Sequence, residues 1–493
     1  MLLLAQFALM LYYTPFLLSG FSWSPDSLWH AGVAKYMPQI LTGADIAIAN
    51  YAEAYPLLYS MTYAVYWTTG ISVFDYTLYV YPVACTILFS ILAYFFADRM
   101  FGSKTAFFAI LFTLPALHYV EMHVSPFSSG TIILLIALIL STYQGKLPKL
   151  LSVFAILLLV LVHPISPVML AVYFFSVIFI NLFFRKNISP ETSNTKVSAF
   201  LHLVLISSIW GIWIIYASSV YIGVQNAVSS ALSLNFLSRL FAVSDFTVGG
   251  SGFIYPEIQN LSLFIYGLIF ILIYSDLARH LRDLKGIFSA KFGAMTCRRL
   301  SLTMAASIFA AMGFLLFLSS GERFLLGRGL LYFIFMGSMV IATYFVNEST
   351  RLRRVKILLA LGLVVFLVCT FPVISYSKEA YNTFTPSANA GLRFLSIQTD
   401  LSQNSLSMSY DQQLATYVDL SKGLNLRGFP ADLNASRPDV IVMRINAYYL
   451  IAMRDDLSFI NNSYTELSAS LEASWDYNKI YSNSQFEIYE HIG

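Results

Sequence analysis

The stretch from Ser24 to Pro56 reads SPDSLWHAGVAKYMPQILTGADIAIANYAEAYP, and it directly follows an apolar segment, Met1 to Gly20. Asp26 and His30 are four residues apart, so a helix would place both side chains on one face, one turn apart. Polar groups held at a membrane face are costly and are often functional. The stretch therefore indicates either a solvated connecting loop or a functional site where the chain leaves the bilayer.

Composition places the chain among polytopic membrane proteins. Of its 493 residues, 58% are hydrophobic and 11% are charged, whereas roughly a quarter of the residues in a soluble domain are charged. No Lys or Arg precedes Lys35, so the positive n-region of a secretory signal is missing. We expect Met1–Gly20 to be a retained first helix of a chain that starts a few residues upstream. The cysteines are too few and too separated for a disulfide framework or a zinc site, and we expect them to be small core residues: Cys85, Cys297 and Cys369.

Charge divides the chain into two parts at Ser375. The residues before it carry 21 Lys and Arg against 13 Asp and Glu, and those from it onward carry 8 against 13. Residues 1–374 are predicted to form the transmembrane domain, with a first outer loop over about residues 22–75. Residues 375–493 have too few apolar runs to span a membrane, and their strand and helix signals predict a small extracytoplasmic α/β domain.

Eleven apolar segments are predicted to be transmembrane helices, each approaching the roughly 20 residues that a bilayer requires. They are residues 2–21, 76–97, 105–119, 128–143, 150–163, 167–184, 198–218, 260–275, 301–319, 324–346 and 357–374. With the N-terminus in the cytoplasm, this order places 17 of the 21 basic residues before Ser375 in cytoplasmic loops, as the positive-inside rule expects. The run Leu57–Ile71 is then an interfacial or re-entrant helix, the tail is extracytoplasmic, and the basic segment Asp276–Arg299 lies on the anionic inner leaflet of the cell membrane.

Ionisable residues at the outer boundary are the candidates for chemistry. Asp26 and Glu121 each follow a membrane helix and begin an outer loop. A carboxylate pair across a cleft can bind Mg²⁺ or Mn²⁺, or one carboxylate can act as a general base. His30 and His123 are candidate metal ligands or proton carriers. The alternative for all four is an ordinary place in an interfacial loop, and for His163 a helix cap or a packing role is favoured over chemistry.

Two arginines, Arg323 and Arg328, lie at the outer membrane boundary. The guanidinium group presents a planar fork of donors that suits phosphate oxygens. The pair is predicted to hold the phosphate of a lipid carrier whose tail lies among the helices. The alternative is that both side chains only anchor the helix at the interface.

Five short motifs follow one another along the membrane part of the chain. They are Ser24-Pro-Asp26-Ser-Leu-Trp-His30, Tyr55-Pro56-Leu-Leu-Tyr59, Asp98-Arg-Met-Phe-Gly-Ser-Lys104, Leu114-Pro-Ala-Leu-His118 and Glu121-Met-His123. Their order, together with the predicted α/β tail, resembles the GT-C superfamily of integral membrane glycosyltransferases. Its members include protein O-mannosyltransferases, aminoarabinose lipid A transferases and oligosaccharyltransferase catalytic subunits.

The resemblance implies a polyprenyl-phosphate-linked sugar donor, such as a dolichol-phosphate sugar, and transfer of a hexosyl or pentosyl group. It implies that Asp26 is the catalytic base or a metal ligand, that Glu121 is the acidic residue of the second outer loop, and that Arg323 or Arg328 holds the donor phosphate. Two features depart from the subfamilies. The oligosaccharyltransferase hallmark Trp-Trp-Asp-Tyr-Gly is absent, and the Asp-Glu pair of protein O-mannosyltransferases is replaced by Asp26-Ser27. No subfamily and no metal requirement follow from the sequence.

The sequence thus predicts a polytopic α-helical membrane protein of the GT-C type with about 11 transmembrane helices. It would transfer a sugar to a lipid, glycan or protein acceptor on the outer face, with Asp26 and His30 in catalysis. The main alternative is a transporter or lipid flippase, which favours charged residues at mid-membrane and two related halves. A membrane scaffold is a third reading, and it requires no convergence of Asp26, Glu121 and the arginines. Nucleic acid is not an expected partner.

Overall fold

The structure is a computed structural model of the chain. It describes residues 1–13, 25–42, 49–116, 123–183, 193–217, 271, 294–320, 323–347, 362, 365, 406–408, 426–427, 440–444, 473, 477–483 and 486–491. The described part is mostly helical, with a small set of strands after residue 405. We number its elements in chain order.

The helices of the described part fall into an outer-loop group and a bundle. The outer-loop group is α2 (Pro25–Lys35), α3 (Met37–Leu41), α4 (Ala49–Ala54), α5 (Pro56–Thr69) and α6 (Val73–Asp75), followed by a π-helical turn, Tyr76–Val80. The bundle is α1 (Leu2–Tyr12), α7 (Tyr81–Phe101), α8 (Ser103–Ala116), α9 (Pro126–Ser141), α10 (Lys146–Val162), α11 (Ile165–Phe183), α12 (Ser193–Tyr216), α13 (Ala294–Ser320) and α14 (Arg323–Asn347).

The bundle helices coincide with predicted transmembrane segments. Nine of the eleven predicted segments overlap a described helix, whereas 260–275 and 357–374 fall almost wholly outside the described residues. Three helices in the described part are long and apolar enough to cross a membrane: Tyr81–Phe101, Ile165–Phe183 and Ser198–Tyr216. Helix α5 has 14 residues, about 21 Å of helix, which is short for a hydrocarbon core of about 30 Å. The interfacial placement of Leu57–Ile71 stays a prediction.

The bundle core is built from aromatic and small side chains. Phe89, Phe96 and Phe335 form a run of ring contacts between α7 and α14, with centroids 6.3 Å apart for both Phe335 pairs. Lipid tails are as apolar as the side chains, so helix association in a membrane depends on close van der Waals packing. Stacked aromatic rings and the buried alanines beside them, such as Ala93 and Ala97, supply that packing.

Helices α13 and α14 approach each other at two glycines. A Cβ atom placed on Gly329 would lie 2.7 Å from the Cα of Gly313 and 2.8 Å from the carbonyl oxygen of Phe309. Both neighbours are backbone atoms, which no side-chain rotation can move aside. The pair is therefore a small-residue contact that lets the two helix backbones touch.

Two hydrogen bonds between helix ends show which helix ends lie together at each end of the bundle. At one end, the Tyr12 hydroxyl donates to the carbonyl oxygen of Leu114 over 2.6 Å, joining the last turns of α1 and α8. At the opposite end, the Arg298 guanidinium donates to the carbonyl oxygen of Met100 over 2.8 Å, joining the start of α13 to the end of α7. These pairings agree with helices that alternate in direction in the predicted order.

Helix α13 begins earlier than predicted, within the predicted surface segment Asp276–Arg299. Helix α13 begins at Ala294, so residues 294–299 continue the helix that was predicted to start at residue 301. Cys297 and Leu300 face the bundle and are buried, and the hydrogen bond of Arg298 fixes this turn against α7. Residues 276–293 lie outside the described part.

The described strands of the tail form one mixed sheet. The strands are β1 (Leu406–Met408), β2 (Leu426–Arg427), β3 (Val440–Arg444), β4 (Tyr477–Asn483) and β5 (Phe486–His491), in the order β2-β1-β3-β5-β4. Strand β1 is parallel to β2 and β3, whereas β5 is antiparallel to β3 and β4. The strand signals at 405–410, 440–444 and 486–489 match β1, β3 and β5, while β2 and β4 were not predicted. The predicted tail helices, 386–397 and 411–424, lie outside the described residues.

Candidate active site

The outer-loop helices pack on one end of the bundle. Val33 and Met37 from α2 and α3 are buried in one apolar cluster with Leu58 of α5, Val124 before α9 and Val162 at the end of α10. Val33, Met37 and Ile40 of this stretch are all buried, whereas Leu41 is not. Leu41 is 67% exposed, because it directly follows the buried Ile40 on α3 and successive residues of a helix point in different directions.

His30 is a buried side chain held by a tyrosine. It lies on α2, is 8% exposed, and its Nδ1 atom is 2.8 Å from the hydroxyl oxygen of Tyr59 on α5. The two rings also contact each other, with centroids 5.7 Å apart. The bond fixes the orientation of the imidazole and ties α2, the helix that carries Asp26, to α5 of the same loop.

The hydroxyl of Tyr59 is expected to stabilise this end of the fold. Tyr59→Phe removes the bond to His30 and leaves a buried polar nitrogen with one partner fewer, a loss of about 1 kcal/mol in the free energy of unfolding. Thermal unfolding in detergent measures the loss. Tyr63→Phe, on the same helix with its ring against Tyr66, is the matched control and should change stability less. Equal unfolding temperatures for Tyr59→Phe and the unaltered protein would contradict a stabilising bond.

Asp26 belongs to α2 and precedes His30 by one helical turn. The sequence left open whether this stretch is helical, and the structure places both residues on a helix. The side chain of Asp26 and the whole of Glu121 lie outside the described residues. The predicted convergence of these two carboxylates stays a prediction.

His123 begins a polar network at the start of α9. Its side chain is fully buried, and its carbonyl oxygen accepts a 2.6 Å hydrogen bond from the hydroxyl of Ser128. Ser125 caps α9, since its hydroxyl oxygen accepts from the backbone N–H of Ser128. The hydroxyl of Tyr81, at the start of α7, lies 2.8 Å from that of Ser128 and 2.5 Å from that of Ser129. The network fixes the residues that follow Glu121 against α7.

His163 has the capping role that was favoured for it. Its Nδ1 atom accepts from the backbone N–H of Ser166 at the start of α11 over 3.3 Å, and the Ser166 hydroxyl lies 2.9 Å from the same nitrogen. A Cβ on Gly130 of α9 would lie 2.5 Å from the Ser166 hydroxyl oxygen, so only glycine allows α9 to approach this turn as closely. The ring of Phe127 closes the contact, 5.3 Å from that of His163.

Helix α14 reaches the same region through Tyr332. The Tyr332 hydroxyl is 3.2 Å from that of Thr131 on α9, and its ring centroid is 6.1 Å from that of Phe127. Arg328 lies one turn before Tyr332 on the same helix, about 6 Å along its axis, and Arg323 begins the helix. The structure thus brings the backbone of both arginines to the end of the bundle that holds His123. Their side chains lie outside the described part.

The metal ligands were predicted to be Asp26, Glu121 and His123. Among the described residues, no group of three or more His, Cys, Asp or Glu side chains is placed to hold a metal ion. The two predicted carboxylates are outside that set, so the metal site stays a prediction.

Sequence reasoning missed several of the residues that build this end. Tyr59 was within a quoted motif, yet its partner His30 is 29 residues away, and no local spacing shows that pairing. Ser125 was readable, because Ser-Pro before an apolar run is a helix-start signal. Tyr81 and Tyr332 are tertiary partners without a local signal.

Two solved structures share the fold of this chain. Archaeal oligosaccharyltransferase AglB from Archaeoglobus fulgidus, in complex with an inhibitory peptide and a dolichol-phosphate, matches with a TM-score of 0.52 and 11% sequence identity over 92% of this chain and 70% of that chain. The apo form of the Archaeoglobus fulgidus oligosaccharyltransferase matches with a TM-score of 0.52 and 12% identity, over 94% and 72%. This chain has the fold of the archaeal oligosaccharyltransferase.

This likeness agrees with the resemblance inferred from the short motifs, because oligosaccharyltransferase catalytic subunits are among the members of the family that those motifs resemble. No protein-family model and no curated protein matches the sequence. At this identity the likeness to the oligosaccharyltransferase concerns the fold, so the chemistry has to be argued from the residues of this chain. Within this fold, the described contacts bring α2, the start of α9 and α14 to one end of the bundle.

Proposed function

We propose that this protein is a membrane glycosyltransferase of the GT-C type. It transfers a hexosyl or pentosyl sugar from a polyprenyl-phosphate donor to a lipid, glycan or protein acceptor on the extracytoplasmic face. The observation that carries the proposal is the convergence, within a GT-C fold, of the helix that bears Asp26, the chain around His123 and the helix that bears Arg323 and Arg328. A scaffold would not require these parts to meet.

The proposed topology has eleven transmembrane helices, a cytoplasmic N-terminus and an extracytoplasmic α/β domain over residues 375–493. The positions of the basic residues support it. Arg99, Lys149 and Arg298 lie at the bundle end opposite to His123 and carry three of the described positive charges. Cytoplasmic loops collect such residues, so the end with His123 is assigned to the outer face.

The proposed donor follows from the arginines of α14 and from the fold. The oligosaccharyltransferase of the same fold was solved with a dolichol-phosphate. For this chain, we assign Arg323 and Arg328 to the donor phosphate, because two guanidinium groups at the membrane boundary can pair with its oxygens while the isoprenoid tail remains in lipid.

The proposed chemistry is displacement at the anomeric carbon. Asp26 removes the proton from the acceptor nucleophile as that atom bonds to the anomeric carbon. The bond from the anomeric carbon to the phosphate oxygen breaks, and the arginines stabilise the negative charge that develops on the departing polyprenyl phosphate. His30, held by Tyr59, keeps the turn that carries Asp26 in place and offers an imidazole to move the proton onward.

A divalent cation, Mg²⁺ or Mn²⁺, is proposed to bind between Asp26, Glu121 and His123. Carboxylate oxygens suit Mg²⁺ and Mn²⁺, and the imidazole of His123 would add a nitrogen ligand. Such an ion supplies a positive charge for the donor phosphate. The buried position of His123 supports a ligand role, since a ligand must be held in a fixed place.

The proposed function is tested by sugar transfer. The purified protein in lipid is supplied with a pool of polyprenyl-phosphate sugars and a mixture of acceptors, with and without a chelator. We expect transfer with at least one donor, loss in the chelator and recovery with added Mg²⁺ or Mn²⁺. Full activity in the presence of the chelator would contradict the proposed metal site but not the proposed sugar transfer. The result that would contradict an enzyme is the absence of transfer with every donor. If the protein then moves lipid or solute across the membrane without a donor, the transporter is favoured instead.

A further inference from the structure

The end of the bundle opposite to the candidate active site contains a cavity of about 940 Å³. It lies between the end of α7, the end of α9 and the starts of α10, α12 and α13, with α11 forming part of its wall. The candidate active site uses none of its lining residues. Its size is at the upper end of the range for small-molecule sites.

Cations from three different helices line the cavity. They are Arg99 of α7, Lys149 of α10 and Arg298 of α13, all solvent-exposed. None of the described side chains that line it is acidic, and Asp98, beside Arg99 in sequence, is not part of the lining. Three positive charges that line one cavity repel one another, and a bound anion would reduce that cost.

The two arginines are held in place by the bundle. Arg298 uses one of its five N–H donors on the carbonyl oxygen of Met100. The guanidinium of Arg99 lies over the ring of Tyr143, 4.2 Å from its centroid. Both groups therefore meet an incoming ligand at a lower cost in side-chain entropy than free surface arginines would.

The inner wall of the cavity is polar and ordered. His202 is buried, and its Nδ1 atom donates to the carbonyl oxygen of Ser198 over 2.6 Å, which leaves Nε2 facing the hydroxyl of Ser152 at 2.9 Å. The imidazole stacks on Phe174, with ring centroids 4.9 Å apart. This wall joins α10, α11 and α12, so the cavity is built into the packing of the bundle.

One side of the cavity reaches the apolar surface of the helices. Leu201 lines the cavity and is 61% exposed, on a helix apolar enough to cross a membrane. On the facing helix α10, Leu150 is 54% exposed. A ligand with a phosphate group and a hydrocarbon chain could contact both the cations of the cavity and the apolar surface at Leu201. A fully soluble anion would contact only the cations.

We propose that this cavity binds a phosphate group, supplied by the headgroup of an anionic phospholipid of the adjacent leaflet. Basic pockets between transmembrane helices on the cytoplasmic side bind anionic headgroups by the same chemistry. Arg298 and Arg99 pair with the phosphate oxygens, Lys149 adds a point charge, and the acyl chains follow the surface at Leu201. The same cations would also bind a free phosphate compound.

The test compares the full chain in nanodiscs with increasing fractions of phosphatidylglycerol in phosphatidylcholine, with bound lipid counted by native mass spectrometry. We expect a preference for phosphatidylglycerol that falls about fivefold with Lys149→Gln and further with Lys149→Gln combined with Arg298→Gln. Lys149→Gln alone alters an exposed side chain, so it remains informative if the double variant fails to fold. Lys104→Gln, an exposed cation at the same end that does not line the cavity, is the matched control and should keep the preference.

Inorganic phosphate distinguishes the two sources of the anion. If millimolar phosphate raises the unfolding temperature of the unaltered protein but not of Lys149→Gln, and phosphatidylglycerol shows no preference, the site belongs to a soluble phosphate compound. If neither probe distinguishes the unaltered protein from Lys149→Gln, or if Lys104→Gln loses as much, the proposal is overturned. Sugar transfer does not enter the readout, so the result stands apart from the proposed function.

Discussion

Asp26→Asn is expected to lower the rate of sugar transfer by about 10²- to 10⁴-fold, the range contributed by a positioned general base. The amide is nearly the same size as the carboxylate but cannot accept the proton from the acceptor. If Asp26 also binds a metal ion, the substitution weakens metal binding in addition to removing the base, because a neutral amide is a weaker ligand than a carboxylate. Initial rates with a fixed donor and acceptor measure the loss.

The matched control is Glu53→Gln, which removes a carboxylate from the same predicted outer loop. Glu53 is exposed on α4, and we expect this variant to keep most of the transfer rate. Donor binding, measured separately, should change little with Asp26→Asn if the residue acts only as a base. Equal rates for Asp26→Asn and the unaltered protein would remove Asp26 from the mechanism and transfer the role of base to Glu121 or His123.

The sequence was informative about the outer-loop helices at the candidate active site wherever the pattern lies within one helix. The spacing of Asp26 and His30 would place both on one face of a helix, and α2 contains both. The apolar spacing of Val33, Met37 and Ile40 predicts the buried face of the loop. Both signals arise from the period of the α-helix, which any chain must follow to bury one face.

The contacts that assemble the site were beyond reach of the sequence alone. The bond from His30 to Tyr59 and the contact from Thr131 to Tyr332 join residues that are 29 and 201 positions apart. Such pairs depend on how helices cross, and helix crossing is decided by the shapes of whole faces. Hydropathy indicates only where each helix begins and ends, and loop charge indicates only on which side of the membrane each loop lies. Neither indicates which helices contact each other.

The cavity at the opposite end illustrates the same limit. Loop charge assigned Arg99 and Lys149 to the cytoplasmic side, but the continuous helix α13 was needed to bring Arg298 beside them. The basic segment before residue 300 was interpreted as a surface strip, since alternating charged and apolar residues fit an interfacial helix. Burial of Cys297 within the bundle overrides that local pattern.

Gly329→Ala is expected to lower the free energy of unfolding by about 1–3 kcal/mol, the usual cost of forcing extra volume into a packed interior. Its methyl group would lie 2.7 Å from the Cα of Gly313 and 2.8 Å from the carbonyl oxygen of Phe309. Since both contacts are with backbone, α14 has to move away from α13 along its length. Thermal unfolding in detergent measures the change.

The displacement would also reach the candidate active site. Arg328 directly precedes Gly329, and Tyr332 follows within one turn and contacts Thr131. A shift of α14 therefore moves the proposed donor-phosphate ligands relative to the helix that carries Asp26. Misplacement of this kind lowers the rate steeply, because transfer depends on the alignment of donor and acceptor. We expect transfer to fall even at temperatures where the variant remains folded.

Gly211→Ala is the matched control for this substitution. Gly211 also lies within a helix of the bundle, α12, and a Cβ atom there would meet nothing within 4 Å. The same chemical change should leave stability unchanged or raise it slightly, because alanine favours a helix over glycine by about 1 kcal/mol. A lower unfolding temperature for Gly211→Ala than for Gly329→Ala would contradict the close packing of α13 and α14. Unchanged transfer by a destabilised Gly329→Ala would separate that packing from the position of the arginines.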